Sequence, residues 1–260
     1  MSYKTKNLMP DVNSQIDMVY VLSVKTFKDR IAHINNLMSQ YDIKFQFILS
    51  YDIPDLDKET LDRTFDSECT LSMAQKSLVL KHVQAWKNAV LNNFQRVLVF
   101  EDDVIFNKNF ELNFNHVMNA VNQLSPDYLI FLGGADAKVP DYFLLSNATL
   151  VSLPIATAEA YITDLAASKR RLRWLEENKT RLPADHLICE IDKKMNAANY
   201  WSRLPMVEQG SVTGVFSSHL DNHRQKHSKL FNILRYSWNM FQRRTLRRLL
   251  AKLRNLIVKV

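Results

Sequence analysis

Short apolar runs alternate with amphipathic stretches through the first half of this 260-residue chain, and no other feature limits the possible folds as strongly. Each apolar run has the length of a buried strand, and each amphipathic stretch has the apolar spacing of a helix. Strand, helix and strand in repeated succession are typical of a mainly parallel sheet covered by helices on both faces. We therefore expect an α/β fold.

The predicted elements follow one another without a low-complexity linker. In the first half they are strands at Val19–Val24, Phe45–Leu49, Val97–Phe100 and Tyr128–Leu132, and helices at Lys28–Tyr41, Met73–Asn92 and Phe110–Leu124. The second half is less regular. There we expect a strand near Leu150–Leu153, a helix over Ala158–Asn178 and a mixed region over Leu182–Ser218.

The net charge of +7 is unevenly distributed. Residues 222–260 contain eleven Lys or Arg and no acid, so the rest of the chain has 23 basic and 27 acidic residues, a net charge of −4. Because this body is mildly acidic and carries no helix-turn-helix, RRM or zinc-finger pattern, we expect no nucleic-acid partner. The two cysteines, Cys69 and Cys189, lack metal-ligand spacing and are expected to be buried small apolar residues.

The segment VLVFEDDVIF places three carboxylates, Glu101, Asp102 and Asp103, at the end of a predicted strand. In parallel sheets, ligands bind outside the carboxyl ends of the strands. Mg²⁺ and Mn²⁺ commonly sit between one or two protein carboxylates and substrate phosphates. While extended geometry lasts, Glu101 and Asp103 share one face and Asp102 points away. The segment suits a metal-bound nucleotide diphosphate.

An alternative interpretation is a turn in which the aspartates hydrogen-bond the backbone and cap the helix at Phe110. The chain has only four glycines, and neither a dinucleotide fingerprint nor a phosphate-binding P-loop can be written from them. If this protein binds a phosphate, it therefore does so without a glycine-rich phosphate-binding loop.

Several motifs occur in a fixed order over roughly residues 17–218. They are VYVLSV followed by Arg30, FQFILSYDI, LSMAQKSLVLKHVQAW, VLVFEDDVIF, DYLIFLGG, ATAEAYIT and LPADHLI. Together they resemble glycosyltransferase family 25, which includes bacterial lipooligosaccharide glycosyltransferases and collagen galactosyltransferase domains. The family commonly has Cys-x-Leu-Ser-His on the helix before the acidic strand. Here His82 is kept, whereas Leu78 and Lys81 replace the Cys and the Ser, a departure that bears on donor or acceptor preference.

The resemblance implies a GT-A-like fold with a Rossmann-like sheet in residues 1–221. A nucleotide-sugar half would span about residues 17–135 and an acceptor half about residues 136–221. It also implies an inverting transferase that uses a UDP-sugar, often UDP-galactose, with Mn²⁺ or Mg²⁺ on the acidic motif. The expected acceptor is a lipid-linked oligosaccharide.

The site residues that the resemblance implies are carried over position by position. Asp102 or Asp103 would ligate the metal with Glu101 nearby, and Ser23, Arg30, His82 and Gln209 would lie near the nucleotide. For two of these a plainer interpretation stays open. A lone histidine on an amphipathic helix is often structural, and a surface loop also accounts for Gln209.

Inversion requires a general base that takes the proton of the acceptor hydroxyl. Asp185, in LPADHLI, matches the position of an aspartate in the family's second-half motif and is the first choice for this base; Glu159 and Glu190 are competitors. An N-cap is the alternative for Asp185, and a structural position at a helix start is the alternative for Glu159.

Four aromatic residues are candidates for stacking on a sugar or on uracil. Trp86 and Trp174 have core spacing on predicted helices, so we expect them to pack in the core. Tyr161 and Trp201 are the freer candidates.

The chain ends in RRTLRRLLAKLRNLIVKV, in which the leucines fall on one arc of a helix and the cations on the rest. A basic amphipathic helix of this kind suits the interface of an anionic membrane, although it could also pack its leucines on the enzyme body. With no apolar leader and no spanning run, we expect a cytoplasmic enzyme that is peripheral on the inner face of the membrane.

The leading hypothesis is therefore a metal-assisted, UDP-sugar-dependent inverting transferase that extends a lipopolysaccharide or lipooligosaccharide. A metal-dependent phosphoesterase would also use clustered carboxylates, but it usually needs more acid and His ligands on several strand ends. A catalytically degenerate nucleotide-sugar-binding or membrane-associated scaffold is the third hypothesis, prompted by Lys81.

Overall fold

The computed structural model describes residues 10–134, 139–155, 157–213, 216 and 229–257. Within them, seven strands form one sheet and two strands form a second, smaller sheet. The strands are β1 (Met18–Leu22), β2 (Gln46–Ile48), β3 (Arg96–Glu101), β4 (Val104–Phe106), β5 (Tyr128–Phe131), β6 (Leu150–Ser152), β7 (Ala160–Asp164), β8 (Ala198–Ser202) and β9 (Val207–Gln209).

The helices flank the large sheet or follow it in the chain. They are α1 (Lys28–Gln40), α2 (Lys58–Thr64), α3 (Met73–Leu91), α4 (Phe110–Val121), α5 (Asp141–Leu145), α6 (Leu165–Glu177), α7 (Ala184–Lys194), α8 (Gly210–Thr213), α9 (Lys229–Phe241) and α10 (Arg247–Ile257). A 3-10 turn spans Ile53–Asp55, and a π-helical turn, Gln242–Leu246, joins α9 to α10. All elements predicted for the first half are present, with ends shifted by a few residues.

The large sheet has the strand order β2-β1-β3-β7-β5-β8-β6. β1 pairs in parallel with β2 and β3, and β5 pairs in parallel with β8. β7 is antiparallel to both β3 and β5, and β6 is antiparallel to β8. Five of the seven strands therefore point the same way, which confirms the predicted mainly parallel α/β sheet. Strands from both predicted halves of the chain share it.

Both faces of the sheet are covered. Val97 and Val99 of β3 belong to a core cluster that includes Trp86 of α3, whereas Leu98 and Phe100 belong to a second cluster on the other face, with Phe114 of α4. Because alternate side chains of one strand enter two cores, both sets must be apolar. This double burial accounts for the unbroken apolar run before the acidic residues.

The predicted helix over Ala158–Asn178 is wrong in its first part. Residues Ala160–Asp164 form β7, and the helix begins only at Leu165. The side chain of Asp164 accepts a hydrogen bond of 2.8 Å from the Ala167 N–H and so caps α6. β7 lies in the middle of the sheet with all five residues buried, so pairing on both sides decides its conformation.

The reversed direction of β7 determines where its flanking residues lie. An antiparallel strand begins at the edge of the sheet where its neighbours end. The residue before β7, Glu159, therefore lies at the same edge as the segments after β3 and β5. The residues after β1 and β2 lie there too, because those strands run parallel to β3.

The C-terminal helices contact the body through short elements. α10 packs on α5, and α9 packs on α8. Leu249, Leu250 and Leu253 of α10 are nevertheless 43–56% exposed, so these three leucines are not buried against the described part of the body. In the part of the chain that the structure describes, no helix is both long enough and apolar enough to span a membrane.

Candidate active site

The acidic residues at the end of β3 contact different segments of the chain. Glu101 and Asp103 each accept a hydrogen bond from residues 207–213, whereas Asp102 accepts from the residues after β1. This is the alternation expected of an extended segment. The alternative of a cap for the helix at Phe110 is wrong, because Asn109 occupies the N-cap of α4 and makes no side-chain cap bond.

Both carboxylate oxygens of Asp102 have partners. Ser23 Oγ donates to Oδ2 over 2.7 Å, and Arg30 Nη1 donates to Oδ1 over 2.6 Å. The Arg30 guanidinium also lies 5.3 Å from the ring centroid of Phe27 and 5.6 Å from that of Phe216. Asp102 thus connects the ends of β1 and β3 through a largely buried ion pair.

Asp103 has one oxygen bound and one free. The Ser211 N–H donates to Oδ2 over 3.0 Å, while Oδ1 is buried and has no hydrogen-bond partner among the described residues. The main-chain oxygen of Asp103 accepts from the Gly210 N–H over 2.6 Å. Burial raises the pKa of the Asp103 carboxyl, against the opposing effects of Arg30 and of the Ser211 hydrogen bond. A buried oxygen without a partner is costly.

Of the three acidic residues, Glu101 experiences the strongest repulsion from neighbouring carboxylates. Burial first, and then the charges of Asp103, Glu159, Asp102 and Asp185, raise the pKa of Glu101 well above its usual range. Gln209 Nε2 donates to Glu101 Oε2 over 3.2 Å. The surroundings of Glu101 therefore favour a proton, a hydrogen-bond donor or a cation at this carboxylate.

Glu159 belongs to the same cluster and is not at a helix start. Its main-chain oxygen accepts from the Glu101 N–H over 2.9 Å, and its carboxylate accepts from the Gly134 N–H. Gly134 has a φ of +73°, and a Cβ there would collide with the ring of Trp201. A Cβ at Gly133 would collide with the Glu159 carboxylate. The two glycines after β5 therefore permit this close approach.

Asp185 lies in the first turn of α7, half-buried and within electrostatic reach of Glu101. Its Oδ1 accepts from the N–H of its neighbour His186 over 2.8 Å. Pro183, not Asp185, occupies the N-cap, so the alternative of a cap is wrong for this residue. Glu190, about one and a half turns further along α7, pairs with Lys194 over 3.1 Å.

Lys81 is buried beside the acidic cluster, with 2% of its surface exposed. Its Nζ donates to the Ser50 carbonyl over 2.6 Å and to Asp52 Oδ1 over 2.8 Å. Asp52 Oδ2 in turn accepts from the Lys25 N–H over 2.9 Å. Burial lowers the pKa of Lys81, and Asp52 opposes this effect. The Lys81 ammonium therefore ties α3 to the loop after β2, and Asp52 extends the connection to the loop after β1.

His82 of α3 is buried against Tyr161 of β7, with 1% of its surface exposed. Its Nδ1 and the Tyr161 hydroxyl form a hydrogen bond of 3.0 Å, and Nε2 has no partner among the described residues. Burial lowers the pKa of His82 to about 3, so the imidazole is neutral at physiological pH. Its predicted role near the nucleotide stays a prediction.

The aromatic predictions had mixed outcomes. Trp86 is fully buried and Trp174 packs against the same core, as predicted. Tyr161 and Trp201, expected to be free for stacking, are also fully buried, so that prediction is wrong. Both lie on interior strands, and the Tyr161 hydroxyl accepts from Trp86 Nε1 over 3.1 Å. The two cysteines are free and partly buried against the core.

Sequence reasoning missed three contributors to this edge: Asp52, Ser211 and the glycine pair after β5. The FQFILSYDI motif contains Asp52, and its position after a predicted strand could have indicated the site. Ser211 acts through its main-chain N–H, which residue type does not reveal.

The described residues fit a divalent cation in part. Asp103 Oδ1 is a buried carboxylate oxygen with no hydrogen-bond partner among these residues. Glu101 is surrounded by other carboxylates, and a bound cation would offset their repulsion. Oxygen ligands of this kind suit Mg²⁺ and Mn²⁺. Among the described residues, however, no group of three or more His, Cys, Asp or Glu is arranged to hold a metal ion. The protein would supply one or two ligands, and phosphates and water the others.

Comparison with known proteins identifies the class of protein to which this acidic α/β site belongs. Residues 16–153, more than half of the chain, match the model described as glycosyltransferase family 25 (LPS biosynthesis protein). The chain belongs to this family.

Three curated relatives show the range of the family. The bovine "Probable inactive glycosyltransferase 25 family member 3" is 28% identical over 146 residues, covering 52% of this chain and 24% of the relative. "Lipooligosaccharide biosynthesis protein lex-1" of Haemophilus influenzae is 25% identical over 181 residues, covering 62% and 58%. The human "Procollagen galactosyltransferase 2" is 24% identical over 198 residues, covering 71% and 32%. The chain thus spans less than three-fifths of each relative.

Among solved structures, one match is a glycosyltransferase involved in the glycosylation of the major capsid of PBCV-1. It is 9% identical, with a TM-score of 0.40, and the match covers 85% of this chain and 99% of that one.

Proposed function

We propose that this protein is an inverting glycosyltransferase that moves a hexose, with galactose as the expected sugar, from a UDP-sugar to a lipooligosaccharide or lipopolysaccharide acceptor. One observation carries the proposal: in a chain of glycosyltransferase family 25, a buried carboxylate oxygen, Asp103 Oδ1, lies at the carboxyl edge of the sheet and has no hydrogen-bond partner in the described part of the chain. The family match and the Haemophilus lipooligosaccharide relative support this donor and acceptor class over phosphoester hydrolysis.

We further propose that Mn²⁺ or Mg²⁺ binds at Asp103 and Glu101. When bound, the cation would neutralise the diphosphate and stabilise it as a leaving group. Neighbouring residues hold these carboxylates in place: the Ser211 N–H bonds Asp103, and Gln209 bonds Glu101. The Arg30–Asp102 ion pair fixes the turn between β3 and β4. Ser23 and Arg30 are proposed to bring the end of β1 close to the nucleotide.

For the base, Asp185 remains our first choice. It is half-buried and within electrostatic reach of Glu101, so its carboxylate is near the acidic cluster without being fixed in the core. A carboxylate in this position would accept the proton of the acceptor hydroxyl as the glycosidic bond forms. Glu159 is engaged by Gly134 and by the backbone of Glu101, and Glu190 pairs with Lys194; both are therefore less suited.

A catalytically inactive nucleotide-sugar-binding protein is the second candidate function. Two observations favour it: one relative carries an inactive designation, and Lys81 replaces the family's usual serine next to His82. The two candidates differ in turnover and agree on donor binding, so a binding measurement followed by an activity measurement separates them.

Calorimetric titration of UDP into the purified protein, with Mn²⁺ and with EDTA, tests the donor site. We expect binding with Mn²⁺, little or none with EDTA, and loss of the metal-dependent part in Asp103→Asn. Glu190→Gln, which replaces a carboxylate that pairs with Lys194, is the matched control and should bind as the wild type does. If UDP binds in neither condition, or equally in both, the metal-assisted site is wrong.

A further inference from the structure

The exposed apolar surface of this protein is concentrated in its C-terminal helices. Of the sixteen large hydrophobic side chains that are exposed in the described residues, nine lie between residues 229 and 257. They are Phe231, Ile233, Leu234, Trp238, Phe241, Leu246, Leu249, Leu250 and Leu253. Scattered exposed leucines are ordinary, but a concentration of this size marks an interaction surface.

α10 is attached to the body by a face that does not include its exposed leucines. Arg247 Nη2 donates to the Val139 carbonyl over 2.6 Å, and Arg254 pairs with Asp141 over 2.7 Å. Ala251, which lies on the same side of the helix, has only 1% of its surface exposed. The docked face of α10 therefore carries two arginines that bond Val139 and Asp141, with a buried alanine between them in the sequence.

The leucine stripe of α10 consists of Leu249, Leu250 and Leu253, which are 54%, 43% and 56% exposed. With about 100° per residue, this stripe is centred about 120° around the helix from the docked face. Arg248 and Lys252 are exposed on the far side of the stripe. The exposed apolar stripe is thus bordered by the body on one side and by exposed cations on the other.

α9 repeats this arrangement with aromatic residues. Phe231, Leu234, Trp238 and Phe241 recur at helical spacing and are 48–61% exposed. The rings of Trp238 and Phe241 stack with their centroids 5.9 Å apart. Trp and Phe beside basic residues are typical of helices that lie in a membrane interface.

We propose that these two stripes bind an anionic lipid surface. Residues 222–260 carry eleven Lys or Arg and no acid, so the charge around the stripes complements negative lipid headgroups. A second copy of the chain is a poorer occupant, because it would bring two strongly cationic segments together. Long basic side chains that border an apolar stripe can extend to the headgroups while the stripe enters the acyl region.

The points of attachment determine which part of the enzyme faces the surface. α10 packs on α5, and α9 packs on α8, whose Ser211 N–H holds Asp103. Both α5 and α8 belong to the predicted acceptor half of the chain. The lipid surface would therefore lie beside the half that receives the acceptor; this last step rests on the proposed function, whereas lipid binding itself does not.

Vesicle co-sedimentation of the full chain tests the proposal. We expect binding to vesicles of phosphatidylglycerol and phosphatidylcholine and little binding to phosphatidylcholine alone. Replacing Leu249, Leu250 and Leu253 together by Ser should lower partitioning by at least about tenfold. Replacing Arg248 and Lys252 by Gln should weaken binding to the anionic vesicles by about tenfold and reduce its sensitivity to salt.

Matched controls come from the body of the protein. Leu91, Leu112 and Leu204 are also exposed, and their joint replacement by Ser should leave vesicle binding unchanged. Lys87 and Lys108, both exposed, serve the same purpose for charge. Circular dichroism and melting curves establish that each variant is folded.

Three outcomes would overturn the proposal. The first is a wild-type protein that does not bind anionic vesicles; the second is a tail leucine variant that binds them as well as the wild type does. The third is a wild-type protein that self-associates in light scattering, ignores vesicles and becomes monomeric in the tail leucine variant. The assay needs neither donor nor turnover. Lipid binding can therefore fail while the donor site is intact, and the donor site can fail while lipid binding is intact.

Discussion

Arg30 and Asp102 form an ion pair of 2.6 Å that joins helix α1 to the acidic turn after β3, with Ser23 on the other carboxylate oxygen. Because both oxygens of Asp102 are engaged, this residue organises the turn. Asp103, whose Oδ1 has no partner among the described residues, is the freer oxygen donor.

The two aspartates should therefore respond differently to replacement by asparagine. Asp102→Asn breaks the largely buried ion pair with Arg30 and should lower the free energy of unfolding by about 3 kcal/mol. Asp103→Asn removes a desolvated charge and should change it by less than about 1 kcal/mol, while abolishing metal-dependent UDP binding. Chemical denaturation and calorimetry measure the two quantities. Equal destabilisation by both variants would contradict this division.

Asp185→Asn should separate chemistry from donor binding. If Asp185 is the base, kcat falls by about a hundredfold or more, while the Kd of UDP with Mn²⁺ stays within about twofold of the wild type. Turnover of UDP-galactose with a lipooligosaccharide acceptor is the measurement. Glu159→Gln and Glu190→Gln are the comparison variants, and a larger loss of kcat in Glu159→Gln would transfer the role to Glu159.

Lys81→Met should destabilise the protein because it leaves Asp52 buried beside the acidic cluster without its cation. Breaking a buried pair in this way costs about 3 kcal/mol. Lys87→Met lies on the exposed side of the same helix and should change stability by less than about 0.5 kcal/mol. Thermal denaturation compares the two variants, and equal melting temperatures would show that the Lys81–Asp52 pair contributes nothing.

His82 should make stability depend on pH in a defined direction. Burial lowers its pKa from 6.5 to about 3, so between these values the unfolded chain binds the proton and the folded protein does not. Stability is then lost as pH falls below about 6.5, by about 1 kcal/mol between pH 7.5 and 5.5. This share of the pH dependence should disappear in His82→Gln.

The exposed His116 supplies the control for that measurement. His116→Gln should retain the wild-type dependence of unfolding free energy on pH, because folding does not bury this side chain. A His82→Gln variant whose pH dependence matches that of the wild type would mean that the His82 site opens to solvent on acidification.

The first half of the fold was predictable because its signals are local. β3 is buried on both faces, so its apolar run is unbroken, and α3 begins with a capping box in which Ser72 and Gln75 each bond the other's backbone. The acidic turn was predictable for a related reason: charge directly after a buried strand has to lie at the edge of the sheet.

The second half was less predictable because its structure depends on distant partners. Ala160–Asp164 reads as the start of a helix, yet it pairs with β3 and β5 in the middle of the sheet. Its burial also removed Tyr161 from the surface. The contacts of Lys81 with Asp52 and of Ser211 with Asp103 join residues 29 and 108 positions apart, and no local pattern encodes such pairs.

The position of β7 has a consequence for how this protein is made. β3 and β5 are synthesised first, but the strand that lies between them is not complete until Asp164. A nascent chain that has left the ribosome only as far as Ser152 therefore holds β1, β2 and β3, which can pair, but lacks β7 and β8, the two strands between which β5 lies. One edge of β3 and both edges of β5 have no native partner at that stage. The region that matches the family model, residues 16–153, stops before that strand, so a fragment cut to those bounds should aggregate rather than fold.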